Sequence, residues 1–358
     1  MSHLRQISIE IILQHQSSSG AYPASPNFST YRYCWFRDSA FISYAMDLVG
    51  EHASAQRFHN WAALNIIKRA DVVERAVSKG RSGAPLEAAD ILHTRYSLNG
   101  AEVEEDWPNF QLDGFGTWLW SLAEHHRRSK TKVRQKWLDA SQLVADYISA
   151  LWRRPCFDCW EEFPDKVHPY TLAAIYAGLQ AHTSLSGKDH SKTTRDISAY
   201  LDKHAVSNGH LVKYIGSNEV DANLLGLAVP YRLKNPDDPL IQSTVKKIET
   251  YLRSGGGVHR YAKDTYYGGG EWILLTAWLG WYYAQIGEWS QARTALRWIE
   301  AQADEQGFLA EQVPASLIDR AFYKTWQERW GEIANPLLWS HAKYIILAEA
   351  LENQPANH

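Results

Sequence analysis

Two glutamate sites, Trp160-Glu161-Glu162-Phe163 and Ala310-Glu311-Gln312, stand in aromatic-rich stretches of this chain. Breaking the acetal bond between two sugars takes a pair of carboxyl groups, one giving a proton and one activating water or attacking directly. Sugar rings also present flat C–H faces that pack on aromatic rings, and the chain carries 16 Trp and 19 Tyr, more than a generic core needs. Adjacent glutamates usually mean a solvated surface or a helix start. A glutamate flanked by Trp and Phe departs from that pattern, because desolvation raises a carboxyl pKa toward the range a general acid needs.

Other stretches add polar groups of the right kind. Tyr31-Arg32-Tyr33-Cys34-Trp35-Phe36-Arg37-Asp38-Ser39 sets aromatics ahead of an Arg-Asp pair at a helix start. Asp38 can serve there as an N-cap. The same pair can also grip vicinal sugar hydroxyls through its donors and acceptors, with Trp35 as a wall. Trp107 falls on a loop ahead of Asp113-Gly114, where a substrate platform is one reason for a large aromatic; Trp118 and Trp120 also read as core. The run from His259 and Arg260 through Asp264, Tyr266 and Tyr267 to Trp272 mixes a cation, an acid and aromatics. Its three glycines, Gly268 to Gly270, let backbone approach a ligand closely. Asn335, Trp339 and Ser340 follow Glu311 further along.

Several chemistries find no footing. The glycine run lacks the strand–GxxxxGK[ST]–helix context of a phosphate loop, and no GxSxG marks a serine esterase. The 15 His include no HExxH and no tight His/carboxylate cluster, so neither a metal nor a cofactor is expected. Cys156 and Cys159 have CxxC spacing without a second pair, and with Cys34 they read as ordinary reduced thiols. A formal charge of −3 gives no footprint for nucleic acid or an anionic membrane, which favours a small or neutral ligand. No run approaches the ~20 apolar residues of a membrane span. The start of the chain lacks a signal-peptide pattern, so a cytoplasmic location is expected.

These residues must be positioned by helices, because helical periodicity dominates and strand alternation is scarce. The pattern predicts helices at 4–16, 39–50, 52–77, 114–128, 132–153, 168–185, 190–206, 219–229, 238–252, 271–286, 288–304 and 336–352. Short joins such as Gly287 imply antiparallel hairpins. Six of them suggest an all-α fold, an (α/α)6 barrel occupying residues 1–358 as a single domain. The connections at 17–38, 78–113, 154–167, 253–270 and 305–335 are long, as functional loops are, and carry nearly all the candidate chemistry. Asn99-Gly100 suggests a small β-hairpin within 93–100.

Taken in order, the motifs resemble glycoside hydrolase family 15, the glucoamylase family. The resemblance runs through Trp35-Phe36-Arg37-Asp38-Ser39, Trp107 with Asp113-Gly114, Trp160-Glu161-Glu162, Arg260 to Trp272, Ala310-Glu311-Gln312 and Trp339-Ser340. It implies the (α/α)6 barrel and exo-acting, inverting release of β-glucose from α-glucosides. It further implies Glu161 as general acid, protonated at rest, and Glu311 as general base, ionised, with Glu162 as the rival for the acid role. Carboxyl groups serving inversion stand about 6.5–9.5 Å apart, leaving room for water. Arg37, Asp38 and Arg260 then bind the terminal glucose, Trp35, Trp107 and Trp272 line the site, and Tyr31 stands near the catalytic water. Glu162, Asp264 and Tyr266 complete the expected substrate contacts. The chain shows no β-sandwich or starch-binding module, which points to short oligosaccharides, α-1,6 ahead of α-1,4. Trehalase activity and a non-catalytic glucan-binding role on the same fold are the alternatives.

Overall fold

A computed structural model describes residues 3–103 and 105–354. Its helices are α1 (His3–His15), α2 (Phe36–Leu48), α3 (His52–Ile67), α4 (Ala70–Ser82), α5 (Asp113–Ser129), α6 (Gln135–Leu151), α7 (Pro169–Ser186), α8 (Ser191–His204), α9 (Pro239–Tyr251), α10 (Ile273–Gln285), α11 (Trp289–Glu300), α12 (Arg320–Trp330) and α13 (Leu338–Glu352). A 3₁₀ turn, Ala222–Leu227, stands between α8 and α9.

Composition sorts these helices into two layers. α10 is apolar on every side and buries every residue from Ile273 to Ala284, whereas α11 buries only Ala292, Ala295 and Ile299 along one stripe. A helix apolar all round belongs in the interior, and one with a single stripe covers it. Each fully buried Leu, Ile or Phe of the inner layer contributes about 1.5–3 kcal/mol. α2, α5, α7, the 222–227 turn, α10 and α13 accordingly pack in that order, and α13 returns to α2 to close the ring. The outer helices lie on them: α1 on α13, α6 on α5 and α7, α8 on α7, α9 on the turn, and α11 on α10. This is an (α/α)6 barrel with one inner member reduced to 3₁₀. The tightest inner crossing, α5 on α7, depends on missing side chains. A Cβ on Gly116 would stand 2.3 Å from the Ala174 carbonyl oxygen, and one on Gly178 would stand 2.7 Å from Gly116 Cα.

Four expectations are corrected. The helix expected at 52–77 is two, α3 and α4. Arg69 turns back at the break, donating to the Asn65 and Gly100 carbonyls and lying over the Tyr96 ring, and neither Gly nor Pro signals it. The helix expected at 219–229 shrinks to the 3₁₀ turn, because the Asp221 side chain accepts from Asn223 N and Pro230 follows shortly. The connection expected at 305–335 contains α12, whose N-cap Asp319 accepts from Ala321 N. Asn99-Gly100 does form a turn, with Gly100 N donating to Ser97 O, but Arg95–Tyr96 pairs antiparallel with Cys34–Trp35 rather than within a hairpin. No described helix is long and apolar enough to cross a membrane.

Candidate active site

The segments entering the inner helices converge on a cavity of about 380 Å³, and all five long connections supply its walls. Eleven expected site residues line it: Tyr31, Trp35, Arg37, Asp38, Trp107, Glu161, Glu162, Arg260, Tyr266, Trp272 and Glu311. Asp264 does not. It is fully buried behind the wall, where its carboxylate takes both Nε (2.7 Å) and Nη2 of Arg260 and also accepts from Tyr266 N. Asp264 therefore aims Arg260 rather than meeting a ligand.

Glu161 arrives on a tight turn. Asp158 Oδ1 accepts from the backbone N–H of both Trp160 and Glu162, and Glu161 between them adopts the left-handed conformation, with φ of 70°. Such a non-glycine residue costs about 1–3 kcal/mol and persists where surrounding structure enforces it. Asp158 and Asp221 flank the buried Lys213 Nζ at 3.6 and 2.7 Å, and Trp160 Nε1 donates to Asp221. The carboxyl of Glu161 is held through one oxygen. Trp35 Nε1 (2.7 Å) and Gln111 Nε2 (3.1 Å) both donate to Oε1, while Oε2 takes no hydrogen bond among the described residues. Glu161 is only partly buried, in a cavity that Tyr31, Trp35, Trp107 and Trp160 also line. Glu162 has other partners: Tyr261 donates to its Oε2 at 2.6 Å, and Arg260 stands 3.4 Å from its Oε1. Burial raises its pKa, against the pull of Arg260.

Glu311 precedes the short strand Gln312–Val313, which pairs with Glu271–Trp272 at the entry to α10. Its side chain is buried, and Oε2 has no hydrogen-bond partner among the described residues. Burial pushes its pKa up to about 8, while Arg260 and the hydroxyls of Tyr31 and Tyr266 pull it down and Asp38 adds to the rise. Those two hydroxyls stand 2.7 Å apart. Burial thus works against the ionised state expected of Glu311, while Arg260 and the two hydroxyls work for it.

Arg37 and Asp38 lie in the first turn of α2, whose N-cap is Trp35, so Asp38 is not the cap. Arg37 Nη1 donates to Gln111 Oε1 at 2.9 Å and stands 3.4 Å from Asp113. Its Nε lies 3.3 Å from Asp38 Oδ1 without hydrogen-bond alignment, leaving both atoms unsatisfied. Burial raises the Asp38 pKa to about 6 against the pull of Arg37. Trp107, Trp272 and Trp339 likewise leave buried indole N–H groups unpaired. Buried polar atoms are nearly always paired, so this set marks where a ligand rich in donors and acceptors fits.

Gln111, Trp326, Arg329 and Trp330 are site residues the sequence reading missed. Three of them sit on α12 inside an expected loop, and their spacing (326, 329, 330) was the available signal. The glycines 268–270 face backbone rather than ligand: a Cβ on Gly268 would meet the Asp319 carbonyl oxygen at 2.8 Å, and one on Gly270 that of Val313 at 2.6 Å. Cys156 and Cys159 are free and buried, and burial drives both thiols upward. One tight His/carboxylate cluster does exist, contrary to expectation. His52 Nδ1 and His125 Nδ1 lie 2.7 and 2.9 Å from Asp47, so the donor atoms are occupied by one another. The cluster does not line the cavity.

The family model of glycosyl hydrolases family 15 matches residues 2–349. A protein named isomaltose glucohydrolase from Kribbella flavida is 40% identical over 359 residues, covering 98% of this chain and 93% of its own. Trehalase 1 of Sulfolobus acidocaldarius is 26% identical over 74% of this chain, a region that spans 48% of that longer protein. Among solved structures, a glycosidase variant in complex with glucose superposes with a TM-score of 0.93 at 39% identity, over 98% of this chain and 97% of its own. A bacterial glucoamylase complexed with acarbose shares the fold, with a TM-score of 0.76 at 21% identity over 98% of this chain and 55% of its own.

Proposed function

The chain belongs to glycosyl hydrolases family 15 and is a glycoside hydrolase, and from that premise we propose an inverting, exo-acting α-glucosidase that releases β-glucose from short α-glucosides. The observation that carries the chemistry is the contrast between the two carboxyls in one cavity. Glu161 is fixed through Oε1 with Oε2 free, and Glu311 is buried with Oε2 unpartnered. In the proposed step Glu161 Oε2 delivers its proton to the glycosidic oxygen as the C1–O bond breaks. Water attacks C1 from the other side, and Glu311 accepts the proton that water loses. The unpaired atoms of Arg37, Asp38, Trp272 and Trp339 take the hydroxyls of the terminal glucose.

Similarity to the Kribbella flavida protein supports α-1,6-linked disaccharides as substrates ahead of α-1,4-linked ones. The trehalase relatives keep α,α-1,1 linkage as the alternative. Parallel assays on isomaltose, maltose, trehalose, kojibiose and nigerose, followed by proton NMR in the first minutes, test both parts. Isomaltose should turn over fastest, with β-glucose appearing before α-glucose. First appearance of α-glucose would overturn inversion, and a preference for trehalose would overturn the linkage.

A further inference from the structure

The mouth of the cavity carries a device the proposed reaction does not require. α12 has no buried residue, yet Tyr323, Trp326, Gln327 and Trp330 form one helical face that is half-buried. That face rests on the 266–268 turn: Trp326 lies edge-on to Tyr266 with centroids 5.0 Å apart, and Trp330 meets the same ring at 5.9 Å. Trp330 also stacks on Trp107, at 6.3 Å and 23°. Trp107 is braced as well by Arg95, whose guanidinium lies 3.6 Å from its ring centroid. Arg95, Trp107 and Trp330 thus make a continuous wall across the entrance, from the strand Arg95–Tyr96 to α12. Exposed Arg329 lines the cavity beside it, over the rings of Trp326 and Trp330, with no ion-pair partner among the described residues.

A wall of stacked rings leaves no slot between Trp107 and Trp330 for a sugar. It offers its inner face to one, with Arg329 as a hydrogen-bond donor at the rim. The cavity is near the small end of ligand pockets. We propose that the α12 face of Trp326, Arg329 and Trp330, closed against Trp107, holds the leaving-group sugar and stops a glucan chain from continuing past it, which restricts substrates to the disaccharide class. This inference rests on the glucosidase reading and names the substrate length that the same site selects.

The test compares kcat/KM of the whole protein and of Trp330→Ala on isomaltose, isomaltotetraose and α-glucosyl fluoride, whose leaving group is not a sugar. Opening the wall should lower the disaccharide-to-tetrasaccharide ratio at least tenfold, with the fluoride losing less than isomaltose. Equal changes on both glucans, or a fluoride loss as large as the isomaltose loss, would sink the proposal. Arg329→Gln, exposed and remote from the core, serves as a second variant if Trp330→Ala fails to fold, with the ratio shifting the same way. Unaltered protein that turns over the fluoride but prefers tetrasaccharide overturns the wall alone. Failure to release glucose from any of the three overturns the glucosidase reading and the wall together.

Discussion

Both ends of the inner ring open into a cavity with aromatic walls, about 380 Å³ where the inner helices begin and about 830 Å³ where they end. Tyr44, Trp120, Tyr231 and Trp281 line the wider end as Trp35, Trp107, Trp272 and Trp339 line the narrower one. The difference lies in how polar groups are satisfied. At the wider end Glu124 pairs with Arg127 and Arg128, in the last turns of α5, where cations also offset the carbonyl end of the helix dipole. There, among the described residues, Arg128 Nε is the lone buried polar atom without a hydrogen bond, and it stands 3.3 Å from Glu124. At the narrower end Arg37, Asp38, Trp107, Trp272, Glu311 and Trp339 each keep one. Aromatic walls are common to both mouths; unmet hydrogen-bonding capacity in a buried wall sets the narrower one apart.

The comparison breaks most readily at the two glutamates. Glu161→Gln and Glu311→Gln should each lower kcat on the best disaccharide by about 10²–10⁴-fold. Initial rates measured alongside a thermal melt would separate this from unfolding, and near-normal turnover in either variant removes that residue from its role. α-Glucosyl fluoride, which leaves without protonation, should rescue Glu161→Gln but not Glu311→Gln. The opposite pattern would exchange the two roles, as the raised pKa of Glu311 allows.

A smaller effect concerns stability. Glu311 holds its proton up to about pH 8 in the folded chain, against an ordinary value of 4.5. Across that window the unfolded chain has lost a proton that the folded chain keeps, so stability falls as pH rises, by up to about 1.4 kcal/mol per pH unit. Glu311→Gln should flatten that fall in urea titrations between pH 5 and 8. An unchanged slope would place the proton elsewhere. The smallest effect belongs to the other mouth. Glu124→Gln should leave disaccharide turnover within about twofold and stability within about 1 kcal/mol. A larger loss of turnover would show that the wider end takes part in the reaction.

What the sequence disclosed follows from how locally each feature is encoded. Inner helices such as α10 are apolar on all sides and outer ones such as α11 carry one stripe, so the ring was legible from periodicity. Eleven residues that line the cavity were legible because Trp, Glu, Arg and Asp crowd into long connections. What stayed hidden depends on partners distant in sequence. Asp264 has the right type but faces Arg260 rather than the cavity, and Gln111 has an unremarkable type but donates to Glu161. α12 is short and none of its residues is fully buried, so the spacing of Tyr323, Trp326 and Trp330 was hard to tell from a loop. The Asp47–His52–His125 cluster joins the end of α2, the start of α3 and the end of α5, and no local spacing announces it.

The left-handed turn at Glu161 has a consequence for substitutions there. Its shape is locked by Asp158 and by backbone bonds, none of which needs the glutamate carboxyl. Asn or Gly accepts that backbone conformation more readily than glutamate does, whereas a β-branched residue would resist it. A substitution to Asn or Gly at position 161 should therefore relieve the turn while removing the carboxyl. The cost falls elsewhere, on Trp35 and Gln111, whose N–H groups lose the acceptor that the carboxyl supplies.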